Sequence, residues 1–298
     1  MTLREETFYL RLSTYQDLID DATHLELLER LQELNHGPFQ HYQDVLARGR
    51  PKPVTGELLM ERLHRMVGEG LHQVARFRLW SQGAPVVRSF ELNAHAHPYS
   101  GRFVTQVDIR LERSWLARNR RPALERTSRL FEELVQMTTP FQGHVHDTDD
   151  NSIQNIGQAS LLRNGYGLEV QDDVELASNP GREISRGELR YCVNWLTALG
   201  PELIERLGGA GVVETAPAST VRALDVDWEA RPVLRGTLAD RDRDDRPEPR
   251  WLLLALDGDP LEPDGAMRQA QGLVREHLGL ARLAHAERYN LGYWQRKA

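Results

Sequence analysis

The chain has 298 residues with 44 acidic against 37 basic side chains, and its net charge of −7 argues against nonspecific nucleic-acid binding, which depends on Lys and Arg neutralising phosphates. Only two basic residues are lysines, Lys52 and Lys297, which removes Walker phosphate loops, Schiff-base enzymes and nuclease sites built on a catalytic lysine, and one cysteine, Cys192, leaves no intrachain disulfide or cysteine-based zinc site. No run approaches the roughly 18 apolar residues of a membrane helix and the start MTLREETFYL lacks a secretory pattern, so the expectation is a cytoplasmic protein with no membrane partner.

The first elements read as helices. Tyr15, Leu18, Ile19, Ala22, Leu25, Leu28 and Leu31 recur at three- and four-residue steps, with Thr14 as N-cap and Gly37-Pro38 as the stop. After GRPKPVTG, Thr55 caps a second helix bearing Leu59, Leu63, Met66, Val67 and Leu71. From about Ala75 the period falls to two. Phe77 and Leu79, then Phe90, Leu92, Ala94 and Ala96, then Phe103, Thr105, Val107, Ile109 and Leu111 alternate with polar residues, which predicts an antiparallel meander of three strands with one wet face. Pro122 opens a long helix with Leu124, Leu130, Phe131, Leu134 and Val135 inward, ended by Thr138-Thr139-Pro140.

Beyond it, Phe141 to His146 reads as a strand, as does Gly167 to Val170, and Gly187 to Leu199 as a helix with Leu189, Val193, Leu196 and Leu199 inward. Gly200-Pro201 starts another helical turn, which Gly208-Gly209 stops. Val212 to Thr215, Pro232 to Leu238 and Trp251 to Leu256 read as short buried strands, LADRDRDDRPEPR as a polar hairpin loop, and Asp264 as the cap of a last helix. The pattern predicts one α+β domain over residues 1–298: a helical N-terminal subdomain at 1–72, then a main body at 75–298 in which helices pack mainly on one face of an antiparallel sheet.

Two His-x-His pairs carry the strongest hint of chemistry. His95 with His97, and His144 with His146, have the two-residue spacing that points both imidazoles to one side of a strand, so a divalent metal held by these four is the candidate centre of a metal-dependent enzyme. Strand parity works against the first pair, because it places His95 and His97 with Glu91 and Asn93 on the wet face. Asp147, Asp149 and Asp150 form an acidic loop without the glycine and glutamate of an EF-hand, and read as a surface loop. Asp257-Gly258-Asp259-Pro260 reads as a turn. Cys192, beside Val193 and Trp195, reads as buried rather than nucleophilic. The six arginines from Arg113 to Arg129 read as the solvated face of a helix. No G-x-S-x-G, H-E-x-x-H or G-x-G-x-x-G motif occurs in the chain.

Over about residues 75–285 the order of features resembles the immunity proteins that bacteria encode beside polymorphic or type VI secreted toxins, in particular immunity protein 52 and the related type VI immunity family. The likeness rests on the helix from Trp115 through Leu130-Phe131-Glu132-Glu133-Leu134 and on Phe141-Gln142-Gly143-His144-Val145 with its acidic loop. It continues through Asn194-Trp195-Leu196-Thr197-Ala198-Leu199-Gly200-Pro201-Glu202-Leu203 to the strand Trp251 to Leu256, followed by Asp257-Gly258-Asp259-Pro260. What the resemblance implies is a non-enzymatic cytoplasmic antitoxin without a cofactor, which binds a cognate toxin, often a nuclease, and blocks it. Asp147 to Asp150 and Asp240 to Asp245 would supply contacts to a basic toxin.

Overall fold

Alternation of apolar and polar residues builds one sheet of ten strands, in which every pairing between neighbours is antiparallel. The computed structural model describes residues 7–18, 23–44, 50, 52–54, 74–80, 85–96, 103–147, 150, 189–190, 192–227, 248–261 and 265–286. Its strands are β1 (Thr7–Thr14), β2 (His41–Asp44), β3 (Lys52–Pro53), β4 (Val74–Trp80), β5 (Val87–Ala96), β6 (Phe103–Glu112), β7 (Gln142–Asp147), β8 (Leu196–Leu199), β9 (Thr220–Leu224) and β10 (Trp251–Ala255). Their spatial order is β3-β2-β4-β5-β6-β1-β7-β8-β10-β9, so the first strand lies at the middle of the sheet, between β6 and β7.

Strand parity divides the side chains between the two faces. On one face Phe8, Leu10, Leu12, Phe90, Leu92, Val107, Ile109, Val145, Leu196, Ala198 and Leu253 meet the apolar stripes of two helices. These are α1 (Thr23–Leu34), which contributes Leu27, Leu28 and Leu31, and α3 (Arg120–Thr138), which contributes Ala123, Leu130, Phe131, Leu134 and Val135. A short helix α2 (Arg113–Arg118) leads into α3. On the opposite face, towards the β10 end, Leu199, Leu252 and Leu254 join a second core with α4 (Pro201–Arg206), α5 (Ala210–Glu214), α6 (Gly265–His277) and α7 (Leu280–Ala286). The architecture is therefore α+β with an antiparallel sheet, as the pattern predicts, and β8 and β10 lie between helices on both sides.

Two glycines set close approaches. A Cβ on Gly143 would lie 2.6 Å from Leu12 Cδ2 and 3.0 Å from Phe131, so the missing side chain is what allows α3 to lie against β7. At Gly200 the same atom would fall 2.5 Å from the Pro140 carbonyl oxygen, and Pro201 then supplies the first position of α4. The long helix ends at Thr139, whose φ of 40° is left-handed and whose amide donates to the Val135 carbonyl at 2.9 Å.

Three local expectations are corrected. Residues 7–14 are a strand, Thr14 ends it rather than capping a helix, and α1 begins only at Thr23. The stretch read as a helix from Gly187 contains strand β8 at Leu196–Leu199 instead, and Val212 to Thr215, read as a strand, falls on the short helix α5 and the turn after it. β8 is short and fully buried, and α5 is a short helix in which only Val213 is buried, and over so few residues apolar spacing does not separate helix from strand. The second helix, the strand at Gly167 to Val170, Pro232 to Leu238 and the polar hairpin loop before Glu248 lie outside the described residues.

Candidate functional site

The face of the sheet opposite α1 and α3 carries a polar row. In register across β4, β5, β6, β1, β7 and β8 stand Arg78, Glu91, Asp108, Arg11, His144 and Thr197. Arg78 donates from Nε and Nη2 to Glu91 at 3.0 and 2.9 Å, and Arg11 Nε donates to Asp108 at 2.5 Å. Burial opposes the Arg11 charge, but the Asp108 carboxylate outweighs it, so the guanidinium is held above its usual pKa. One row along the sheet, Tyr9 stacks on His146 with ring centroids 5.5 Å apart, and Arg110 lies 5.0 Å above the Tyr9 ring.

His144 and His146 are both buried rather than wet. Gln142 fixes the chain beside them: its side-chain oxygen accepts from the Arg190 amide at 2.8 Å, and its amide donates to the Arg190 carbonyl. This clasp brings the Cys192 Sγ to 3.5 Å from His144 Nε2. Burial, reinforced by Arg190 and Arg11, lowers the His144 pKa to about 3. Burial raises the Cys192 thiol to about 12 against the opposing pull of Arg190. His146 is likewise pushed well down, first by burial and then by Arg11. The pair is thus a neutral thiol beside a neutral imidazole, the opposite of the thiolate that nucleophilic cysteine chemistry requires.

Strand order separates His95 from the second histidine pair. β5 lies three places from β7 in the sheet, so at about 4.8 Å per strand the His95 backbone is on the order of 14 Å from β7, too far for one ion. His97 lies outside the described residues, and among those residues no group of three or more His, Cys, Asp or Glu is placed to hold a metal. The expected acidic contacts are corrected too. Asp147 and Asp150 are fully buried. Asp147 pairs with Arg113 at 3.2 Å. Asp150 accepts from Asn194 Nδ2 and Gln271 Nε2 at 3.0 Å each, and from Arg268. Each carboxylate thus holds two remote segments together, and a burial this complete requires such partners. Asp149 and the acidic loop at Asp240 to Asp245 lie outside the described residues.

A run of exposed arginines lies on α2 and α3. Arg118, Arg120, Arg121, Arg126 and Arg129 are exposed, and Glu125 is the only acidic residue between Arg113 and Arg129. Arg121 reaches Glu125 at 3.2 Å with its side chain 92% exposed, a pair of little energetic consequence, and Arg120 meets Asp259. Beside this helix start lies a solvent-open groove of about 470 Å³ lined by Arg120, Arg121, Leu124, Glu125, Ser128, Trp195, Gly258 and Asp259. Trp195 stands there because β8 begins at the next residue, and Phe8 packs against its ring at 6.1 Å. Asp259 closes a turn by accepting from the Leu261 amide at 3.0 Å. The arginine run was visible in the sequence; the groove was not, because Leu124, Trp195 and Asp259 meet only through the sheet.

The Pseudomonas aeruginosa T6SS protein PA0821 has a similar fold. Its solved structure aligns with a TM-score of 0.51 at 14% sequence identity, over 92% of this chain and 73% of that one. No protein-family model matches the sequence, nor does any curated protein. At this identity the likeness concerns the path of the chain, not the residues of a site. Among the described residues, no helix is long and apolar enough to cross a membrane.

Proposed function

We propose that the chain is an immunity protein, which binds a cognate bacterial toxin in the cytoplasm and neutralises it without catalysis. The observation that carries this reading is the fold shared with a T6SS protein over nearly the whole chain, in line with the order of features in the sequence. The buried chemistry is in keeping with it: Cys192 and His144 are neutral and shielded, and the strand of His95 lies three places from that of His144 and His146. Binding rather than turnover also suits a surface on which Arg126 and Arg129 meet no carboxylate among the described residues.

The test asks first whether a secreted-toxin gene lies beside the gene for this chain, and then co-expresses the two in a susceptible bacterial host. The expected result is survival only when this chain is present, with a complex that survives gel filtration. Killing that continues while the chain is soluble and abundant would falsify the reading.

A further inference from the structure

We propose that the exposed arginines at the start of α3 and the groove beside Trp195 form one docking surface, and that its occupant is an acidic protein segment carrying an aromatic or branched aliphatic side chain. The inference rests on reading the chain as a binding protein and adds where it binds and what chemistry it takes.

Three observations converge. The first is size and lining: a groove of about 470 Å³ walled by Leu124 and the half-buried Trp195 suits one large apolar side chain, the kind that anchors protein interfaces. The second is charge. Between Arg113 and Arg129 stand six arginines and one glutamate; Arg113 is taken by Asp147, Arg120 by Asp259 and Arg121 by Glu125, which leaves Arg118, Arg126 and Arg129 as a local positive excess on a chain whose total is −7. Neither Arg126 nor Arg129 meets a carboxylate among the described residues. The third is the helix end itself. Arg120 and Arg121 occupy the first turn of α3, where no acidic residue and no side-chain cap is present. Cations at that end oppose the helix dipole, so a further carboxylate beside Asp259, which already meets Arg120, is favoured there.

The same facts select a protein segment over nucleic acid. A polyanion as dense as a nucleic-acid backbone is disfavoured by the chain's net charge of −7, whereas a short acidic segment needs to meet the patch alone. Asp259 and Glu125, already held by Arg120 and Arg121, mark the edge of the patch and limit how far the partner's acidic stretch extends.

The experiment uses the full chain and fluorescence anisotropy. The probe is a short fluorescein-labelled peptide of aspartate and glutamate around one tryptophan. Controls are the same peptide with alanine for tryptophan, a lysine version, and a single-stranded oligonucleotide. The expected result is saturable, salt-sensitive binding of the acidic tryptophan peptide. It weakens about tenfold or more in the double variant Arg121→Glu with Arg129→Glu and again in Trp195→Ala, while the double variant unfolds at the wild-type temperature. Absence of binding to the wild type, equal binding of the lysine peptide or the oligonucleotide, or unchanged binding in the arginine variant overturns the proposal. The two readings fail separately: if the arginine variant loses the peptide yet still protects cells, the docking surface is wrong and immunity stands. If the peptide binds as described and no toxin is neutralised, immunity is wrong and the surface stands.

Discussion

The aspartates at the end of β7 and the arginines of α2 and α3 are the two charged stretches that stand out in the sequence, and the fold treats them in opposite ways. Asp147 and Asp150 have no exposure at all and are tied to Arg113 and to Arg268, Gln271 and Asn194. Arg121 is 92% exposed, and Arg126 and Arg129 project without a carboxylate among the described residues. The difference teaches that charge marks a contact surface only where the fold has not already neutralised it. The acids are part of the scaffold, as is Arg113 that holds Asp147, whereas Arg126 and Arg129 hold no carboxylate among the described residues.

The sharpest way to break this comparison is to remove one buried acid. Asp150→Ala leaves Arg268 without its buried carboxylate and Gln271 and Asn194 without their shared acceptor, and the expected cost is about 3–5 kcal/mol, read as a lower denaturant midpoint. A surface aspartate would leave the midpoint in place. Next in size is the response to acid. His144 is neutral in the folded chain, with a pKa of about 3 against an ordinary 6.5, so between those values the unfolded chain binds a proton that the folded chain refuses. Stability is complete above about pH 6.5 and is lost progressively as the pH falls towards 3. His146, shifted in the same direction, steepens the loss. Thermal unfolding of the wild type and of His144→Gln from about pH 7 to about pH 4 checks this, and the variant should show the shallower slope.

Smaller effects sharpen the same contrast. The neutral, buried Cys192 should alkylate at least about tenfold more slowly in the native chain than in denaturant, and equal rates would show the thiol to be open and ionisable. Arg126→Gln together with Arg129→Gln should move the melting temperature by no more than about 2 °C, since neither side chain holds a described partner. A larger fall would place these arginines in the scaffold with the aspartates.

Much of the frame is legible from period alone. The two-residue alternation of β4, β5 and β6 and the stripe of α3 appear where the residues announce them, because each packs one face against one layer. Leu196 and Leu199 explain a failure: they belong to opposite cores, so a strand covered on both sides loses its alternation and mimics a helix. β1 was hidden differently. Phe8, Leu10 and Leu12 do alternate, but helical steps from Tyr15 onward masked the change of period, and only the pairing with β6 and β7 shows the strand to be central. The histidine pairs and the acidic loop were legible as residues and not as a site. The partner that buries Asp150 is Arg268, 118 residues away, and no local pattern records such a contact.

Hydrogen–deuterium exchange of the chain, alone and in complex with the neutralised toxin, tests the central claim most directly. The account predicts slower exchange across Arg118 to Arg129 and around Trp195, with no change in the peptide that carries Asp147 and Asp150. Protection gained at Asp147 and Asp150 while the arginine helix stays as it was would contradict it.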